Sequence, residues 1–431
     1  MAADNPTRKG EITIDATQLR PGVHVRLDIP WMDHEFMFNS FVITSQDQVR
    51  QIASMNLPQI FCDMARCKVP PLPKAQHPLP PDPVSAAETE QLAALRAAQM
   101  AEKVARSKIM SDLRGRLDVA QKHYAGAAKA VGNAIKSFEM NPEESVKQVT
   151  AVSEKSTAAL LADSDSAIVL IAEKAQADGQ AAHSLSVMTL SLLLGKQARL
   201  PDEALCTLGI GALLHDIGKS AINSSILRNA ERNKHEEALY QTHCRLGYDS
   251  ALRCGRLPPP VLEAILHHHE KIDGSGFPDR QAGKAIHIAA RVVAIANRFD
   301  GLANPIDYRR ALSPSEALAT MWKKEQGAFD TVLLQLFIRA MGVYPPGSIV
   351  QLTDGRIGAV VASASTDRPL SPQVMIYEPE VPRRQAIIID LAKEDGLKIE
   401  QPLRLQSRPN EELDYLLPRR KMNWFHQDNP S

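Results

Sequence analysis

The chain has 431 residues, 44% hydrophobic and 23% charged, with Lys+Arg and Asp+Glu at 50 each. That composition excludes wholesale disorder and suits a globular chain of several domains. The zero formal balance argues against bulk nucleic acid as a partner, since neutralising phosphates calls for a basic excess. The first fifteen residues lack the apolar core of a signal peptide. No membrane span is expected either, because the uncharged run 179–195 carries His, Gln and Ser and falls short of roughly 20 apolar residues. Five cysteines form no CxxC pair, which reads as reduced thiols in a cytoplasmic protein.

Residues 1–66 read as a small mixed α/β unit. Residues 11–14 and 24–27 alternate as short strands do, with Pro21-Gly22 between them, 41–43 and 60–62 read as buried strands, and 45–55 as a short helix. Half of residues 70–83 are proline, so 67–84 reads as an extended linker. Residues 85–180 are rich in helix formers, with Leu92, Leu95, Met100 and Val104 near helical spacing; they read as a helical connector and a candidate homodimer contact. The helical signal continues through 181–342. A small β subdomain, 343–408, follows Tyr344-Pro345-Pro346-Gly347, with strands at 348–352, 358–361, 373–377 and 386–391. Residues 409–431 read as a polar arm. The fold class is therefore mainly α: an all-helical bundle with a small mixed domain before it and a small β subdomain after it.

Eight of the thirteen histidines lie between His183 and His287. His183, the pair His215-Asp216, His243, and the run His268-His269-Glu270 fall on separate predicted helices. Imidazole and carboxylate are the donors that divalent transition metals prefer. One histidine on an apolar helix is ordinarily just packed. Several on separate helices are harder to explain that way. Asp216 follows an apolar run, and a buried carboxylate is costly unless something positive holds it. A metal ion would.

The run His215-Asp216-Ile217-Gly218-Lys219 resembles the HD signature of metal-dependent phosphohydrolases. The run from His268-His269-Glu270 through Asp273-Gly274-Ser275-Gly276-Phe277-Pro278 resembles the HHE-x-x-DG-x-GYP run of HD-GYP domains. Those domains are all-helical phosphodiesterases that act on the bacterial messenger cyclic di-GMP. The resemblance covers about 140–342, and residues 1–66 resemble a domain of unknown function often found before HD-GYP domains. It implies metal ligands at His183, His215, Asp216, His243, His268 and His269. The seventh ligand position is Asn297, where the family has aspartate; Asp300 lies one turn further on the same face. Gly179 stands where three-metal members have glutamate, so two divalent ions are expected, iron or manganese, with zinc as the alternative.

The resemblance also assigns roles. Asp216 bridges the ions, and Lys219 offers a point charge to a phosphate. Gly274, Gly276, Phe277, Pro278 and Arg309 join Lys219 as substrate-binding residues. Phe277 replaces the tyrosine of GYP, and Ile306 replaces a basic residue. The implied activity is hydrolysis of cyclic di-GMP to linear pGpG and onward to GMP. Two rivals stand beside it: a catalytically degenerate cyclic di-GMP receptor or protein-interaction module, and an HD hydrolase acting on another nucleotide. By elimination the N-terminal unit is expected to sense or to dock a protein partner. Glu270 is expected to orient His268 or His269. Trp31 and Trp322 read as core aromatics.

Overall fold

The computed structural model describes residues 10–30, 33–36, 38–74, 86–162, 168–171, 179–362, 364, 368–379, 381, 383, 386–394, 396–417 and 423–426. They form two compact units that divide between Leu113 and Arg114, inside one long helix.

In the first unit, β1 (Glu11–Ile14), β2 (His24–Leu27), β3 (Ser40–Val42) and β4 (Ile60–Asp63) form an antiparallel sheet in the order β1-β4-β2-β3. Helix α1 (Gln46–Ser54) starts at Ser45, whose side chain accepts the Gln48 N–H. Its Ile52 is fully buried and joins Val25, Leu27 and Ile60 in the core. Arg26 is buried as well: it forks onto Glu11 at 2.9 and 2.7 Å and lies over the Phe61 ring. The sheet does not release the chain where the linker was expected to begin. The N–H groups of Lys68 and Val69 donate to Gly22, and that of Leu72 to Gln18. Backbone pairing thus holds the first proline-rich residues against the unit. Residues 75–84 of the expected linker, and Trp31, lie outside the described residues. Helix α2 (Ala86–Ser137) follows.

The second unit is a helical bundle: α3 (Pro142–Ala162), α4 (Gly179–Gln197), α5 (Asp202–Leu214), α6 (Ser224–Arg228), α7 (Lys234–Gln241), α8 (His243–Cys254), α9 (Pro259–His267), α10 (Ile288–Ala303), α11 (Pro314–Lys323) and α12 (Thr331–Met341). Every residue of α4 from Ser184 to Gly195 is buried. A helix enclosed on all sides belongs at the centre of a bundle, and α5 and α10 pack on it, with α9 against both.

A sheet accompanies the bundle. It contains β5 (Ile168–Ile171), β6 (Ile349–Leu352), β7 (Ile357–Ala362), β8 (Gln373–Ile376), β9 (Ile388–Asp390), β10 (Ile399–Leu403) and β11 (Asn423–His426). The order is β10-β6-β7-β5-β11, with β8 on β7 and β9 on β8. Two of these strands correct the sequence reading. β5 lies in the stretch read as helical connector, and β11 in the stretch read as an arm. They pair in register, Ile168 with His426 through Ile171 with Asn423. Ile-Val-Leu-Ile is a strand-forming run within a helix-forming window, and its partner is distant in sequence. The arm also contains α13 (Asn410–Leu416), whose Leu416 packs with Ile349 and Met375. Trp322 is a further correction: it is 40% exposed, because α11 turns Ala317, Leu318 and Met321 inward instead. Among the described residues no helix is long and apolar enough to cross a membrane.

Candidate metal centre

Three imidazoles are aimed by one local device. His215 follows the last residue of α5, His243 lies just beyond α7, and His268 follows α9. The last carbonyls of a helix have no intrahelical partner. Each ring uses one: His215 Nδ1 donates to Ala212 O at 2.7 Å, His243 Nδ1 to Tyr240 O at 2.6 Å, and His268 Nδ1 to Ile265 O at 2.9 Å. A carbonyl only accepts, so each Nδ1 carries a proton, and a neutral ring then leaves its Nε2 as a lone pair.

Those lone pairs converge on Asp216. Nε2 of His215 lies 3.3 Å from Oδ2, and Nε2 of His243 and His268 lie 3.4 and 3.6 Å from Oδ1. His183 of α4 adds its Nε2 at 3.6 Å from Oδ2, and its Nδ1 lies 2.6 Å from Asp300 Oδ2 of α10. His243 and His268 bring Nε2 within 3.3 Å of Nε2. Gly218 makes this convergence possible: a Cβ there would overlap the His243 carbonyl and lie 2.5 Å from the Gly247 nitrogen. Only a glycine lets the turn after Asp216 seat against α8.

The protonation states suit a cation. Burial lowers His215, pushes His268 down to about 3 and, with His268 and His243 alongside, holds His269 well below the usual imidazole range. Burial would raise the Asp216 carboxyl, but His215 and Lys219 outweigh it and hold it well below the usual carboxylate range. Lys219 Nζ lies 2.5 Å from Asp216 Oδ2, and this pairing outweighs burial and raises the ammonium. Neutral rings around one carboxylate are the ligand form of both groups.

The site also fits metal by what it lacks. Among the described residues, Nε2 of His215, Nε2 of His269 and Oδ1 of Asp216 are buried polar atoms with no hydrogen-bond partner. Such atoms are costly unless satisfied. The donors fall into two close groups, His183–His215–Asp216 and His243–Cys244–His268–His269. Cys244 is the one thiol among them; burial and the Asp216 charge raise it, which keeps it protonated and a poor ligand.

Other expected residues fall in different places. Gly274, Gly276, Phe277 and Pro278 line a cavity of about 690 Å³ together with Gln241, Thr242, Arg245 and Arg280. Phe277 stacks on His269 at 4.6 Å and 25°, joining the cavity to the cluster. Asn297 is half-buried on α10, yet the described bond from α10 to the cluster comes from Asp300. Arg309 is 77% exposed and bonds Asp307 at 2.9 Å. Glu270 corrects an expectation: its Oε1 accepts the Asp279 N–H at 2.7 Å, so it braces the loop and not a histidine ring. His267 stays outside the cluster, between Glu263 and Asp279. Tyr240 was not foreseen; its ring lies 5.5 Å from Lys219 Nζ.

A family model described as an HD domain matches residues 157–333. Residues 157–333 are thus a segment of the HD-domain family. A second model, a domain of unknown function (DUF3391), matches residues 11–149, so the first unit and the start of the helical stretch fall within one family domain. A cyclic di-GMP phosphodiesterase of Pseudomonas aeruginosa is 27% identical over 371 residues, 84% of each chain. A cyclic di-GMP phosphodiesterase response regulator of Xanthomonas campestris is 34% identical over 150 residues, 34% of this chain and 39% of that one. A 3'3'-cGAMP-specific phosphodiesterase of Vibrio cholerae is 30% identical over 167 residues, 38% of this chain and 36% of that one.

Proposed function

We propose that this chain is a metal-dependent phosphodiesterase that hydrolyses cyclic di-GMP to linear pGpG. The observation that carries the reading is the convergence of bare imidazole nitrogens on the buried Asp216 carboxylate. His183, His215, Asp216, His243, His268 and His269 would hold two divalent ions, with Asn297 as a neutral seventh donor. Divalent cations held there supply Lewis-acid activation of the attacking water and of the phosphodiester. The protein's own groups do the rest. Lys219, one turn from the ligand pair, presents its ammonium to the phosphate as charge builds up on the phosphoryl oxygens. Phe277 offers an aromatic face between the cluster and the cavity, where a base can stack. The cavity of about 690 Å³ matches the few hundred Å³ of a small-molecule site. The relative that aligns over 84% of this chain supports the guanine dinucleotide as substrate.

A second reading is favoured by the relatives named for 3'3'-cGAMP, one of them 34% identical over 127 residues: the substrate is a mixed cyclic dinucleotide. One assay separates the readings. The chain is loaded in turn with iron, manganese and zinc and offered cyclic di-GMP, 3'3'-cGAMP and cyclic di-AMP. Linear pGpG as the fastest product supports the proposal. Faster cleavage of 3'3'-cGAMP transfers the site to the second reading. Binding of cyclic di-GMP without cleavage under every metal makes the chain a receptor.

A further inference from the structure

We propose that Cys62 and Cys67 in the first unit form a thiol pair that a hydroperoxide converts to a disulfide, giving this unit a redox modification site. The turn between them builds the pair. Asp63 ends β4, and its Oδ1 accepts the Ala65 N–H at 3.0 Å, which folds Met64–Arg66 into a single exposed 3-10 turn. The chain comes back beside itself, and the two sulfurs lie 3.5 Å apart. Cys67 Sγ also accepts the His24 N–H at 3.2 Å and contacts Asp63 O at 3.3 Å. Beyond the turn, Lys68 and Val69 are hydrogen-bonded to Gly22 O, so the position of Cys67 is fixed from both sides. Among the described residues Cys206, Cys244 and Cys254 have no second thiol in contact.

The two cysteines differ in a way that divides the chemistry. Cys62 is fully buried in β4, whereas Cys67 is half-buried at the edge of the turn. Burial, followed by the Cys67 sulfur, pushes the Cys62 thiol up to about 12, so it is not the first to react. The thiolate is the nucleophile in thiol oxidation, and Cys67 is the less buried of the two and the one whose sulfur a backbone N–H faces. Cys67 sulfur attacks the distal peroxide oxygen, the O–O bond breaks, and the alcohol leaves with the thiol proton, giving a sulfenic acid. Cys62 sulfur then attacks Cys67 sulfur, the S–O bond breaks, and hydroxide departs as water with the Cys62 proton. Two thiols and one hydroperoxide become one disulfide, one alcohol and one water. The strand need not open, because the reacting atoms are already in contact.

The test is peptide mapping of the reduced full-length chain after treatment with tert-butyl hydroperoxide and quenching with iodoacetamide. Cys62 and Cys67 are expected to lose alkylation together, two of the five thiols, as one disulfide-linked species that reductant reverses, while Cys206 and Cys254 remain alkylated. In Cys62→Ser, Cys67 is expected to accumulate as a sulfenic acid that dimedone traps. In Cys67→Ser, Cys62 is expected to stay a thiol. Cys67 that passes to sulfinic acid in the native chain, or that stays a thiol while Cys206 oxidises, overturns the proposal. So does a Cys62 that oxidises equally fast in Cys67→Ser.

Discussion

The Lys219–Asp216 contact gives the sharpest test of the metal centre. In the metal-free chain these two charges face each other at 2.5 Å, with 20% and 1% of their side chains exposed. Removing one partner of such a buried pair leaves an uncompensated charge and costs about 3–5 kcal/mol. Lys219→Met should therefore destabilise the chelator-stripped chain by about that amount. With divalent ions restored, the Asp216 carboxylate has cations as partners, and the same substitution should cost much less stability. Its penalty should move to turnover, with kcat lower by about 100-fold, as for loss of one group that stabilises transition-state charge. Asp216→Asn should behave differently, since it strands Lys219 in both states and removes the central ligand. Urea unfolding of stripped and loaded chains, with metal content measured on the same samples, reads all of this. Equal destabilisation of Lys219→Met with and without metal, or a full metal complement in Asp216→Asn, would refute the reasoning.

Acid should weaken the metal-free chain early. His268 is pushed down to about 3 in the folded state, and His215 and His269 are lowered too, while the unfolded chain protonates them near 6.5. The unfolded state thus binds more protons between those values, and stability falls with pH through that window by up to about 1.4 kcal/mol per unit for each ring; a urea midpoint that stays level from pH 7 to pH 5, at about the unperturbed histidine range, contradicts this. Gly276→Ala would put a Cβ 2.5 Å from Glu270 Cα, His269 O and Lys271 N, all backbone. It should cost about 1–3 kcal/mol and raise KM by unseating Phe277 from His269, whereas an unchanged KM and midpoint would show that the loop has slack. Asn297→Asp adds a carboxylate on the face of α10 that bears Asp300. Titration should show tighter metal binding and faster turnover, and a loss of both would place Asn297 outside the ligand set.

The histidine cluster was legible because its chemistry is written locally. His215-Asp216 and His268-His269 are contiguous, and each run sits where a helix ends, so residue type and apolar context both point inward. The short strands of the first unit were legible too, since alternation and a Pro-Gly turn are properties of a few neighbouring residues. Other features needed the fold. Asp300 was one of two acids or amides on the same turn, and only the packing of α10 on α4 sets it 2.6 Å from His183. Arg309 matched a motif, and only the fold shows its guanidinium bonded to Asp307 two residues away. β5 and β11 were hidden because neither strand pairs with a neighbour in sequence. The sequence by itself determined which donors the protein carries and which helix ends present them, because capping and periodicity act over a few residues. The tertiary structure alone decided which lone pairs share a point in space and which strands close the sheet, because those depend on how distant segments pack.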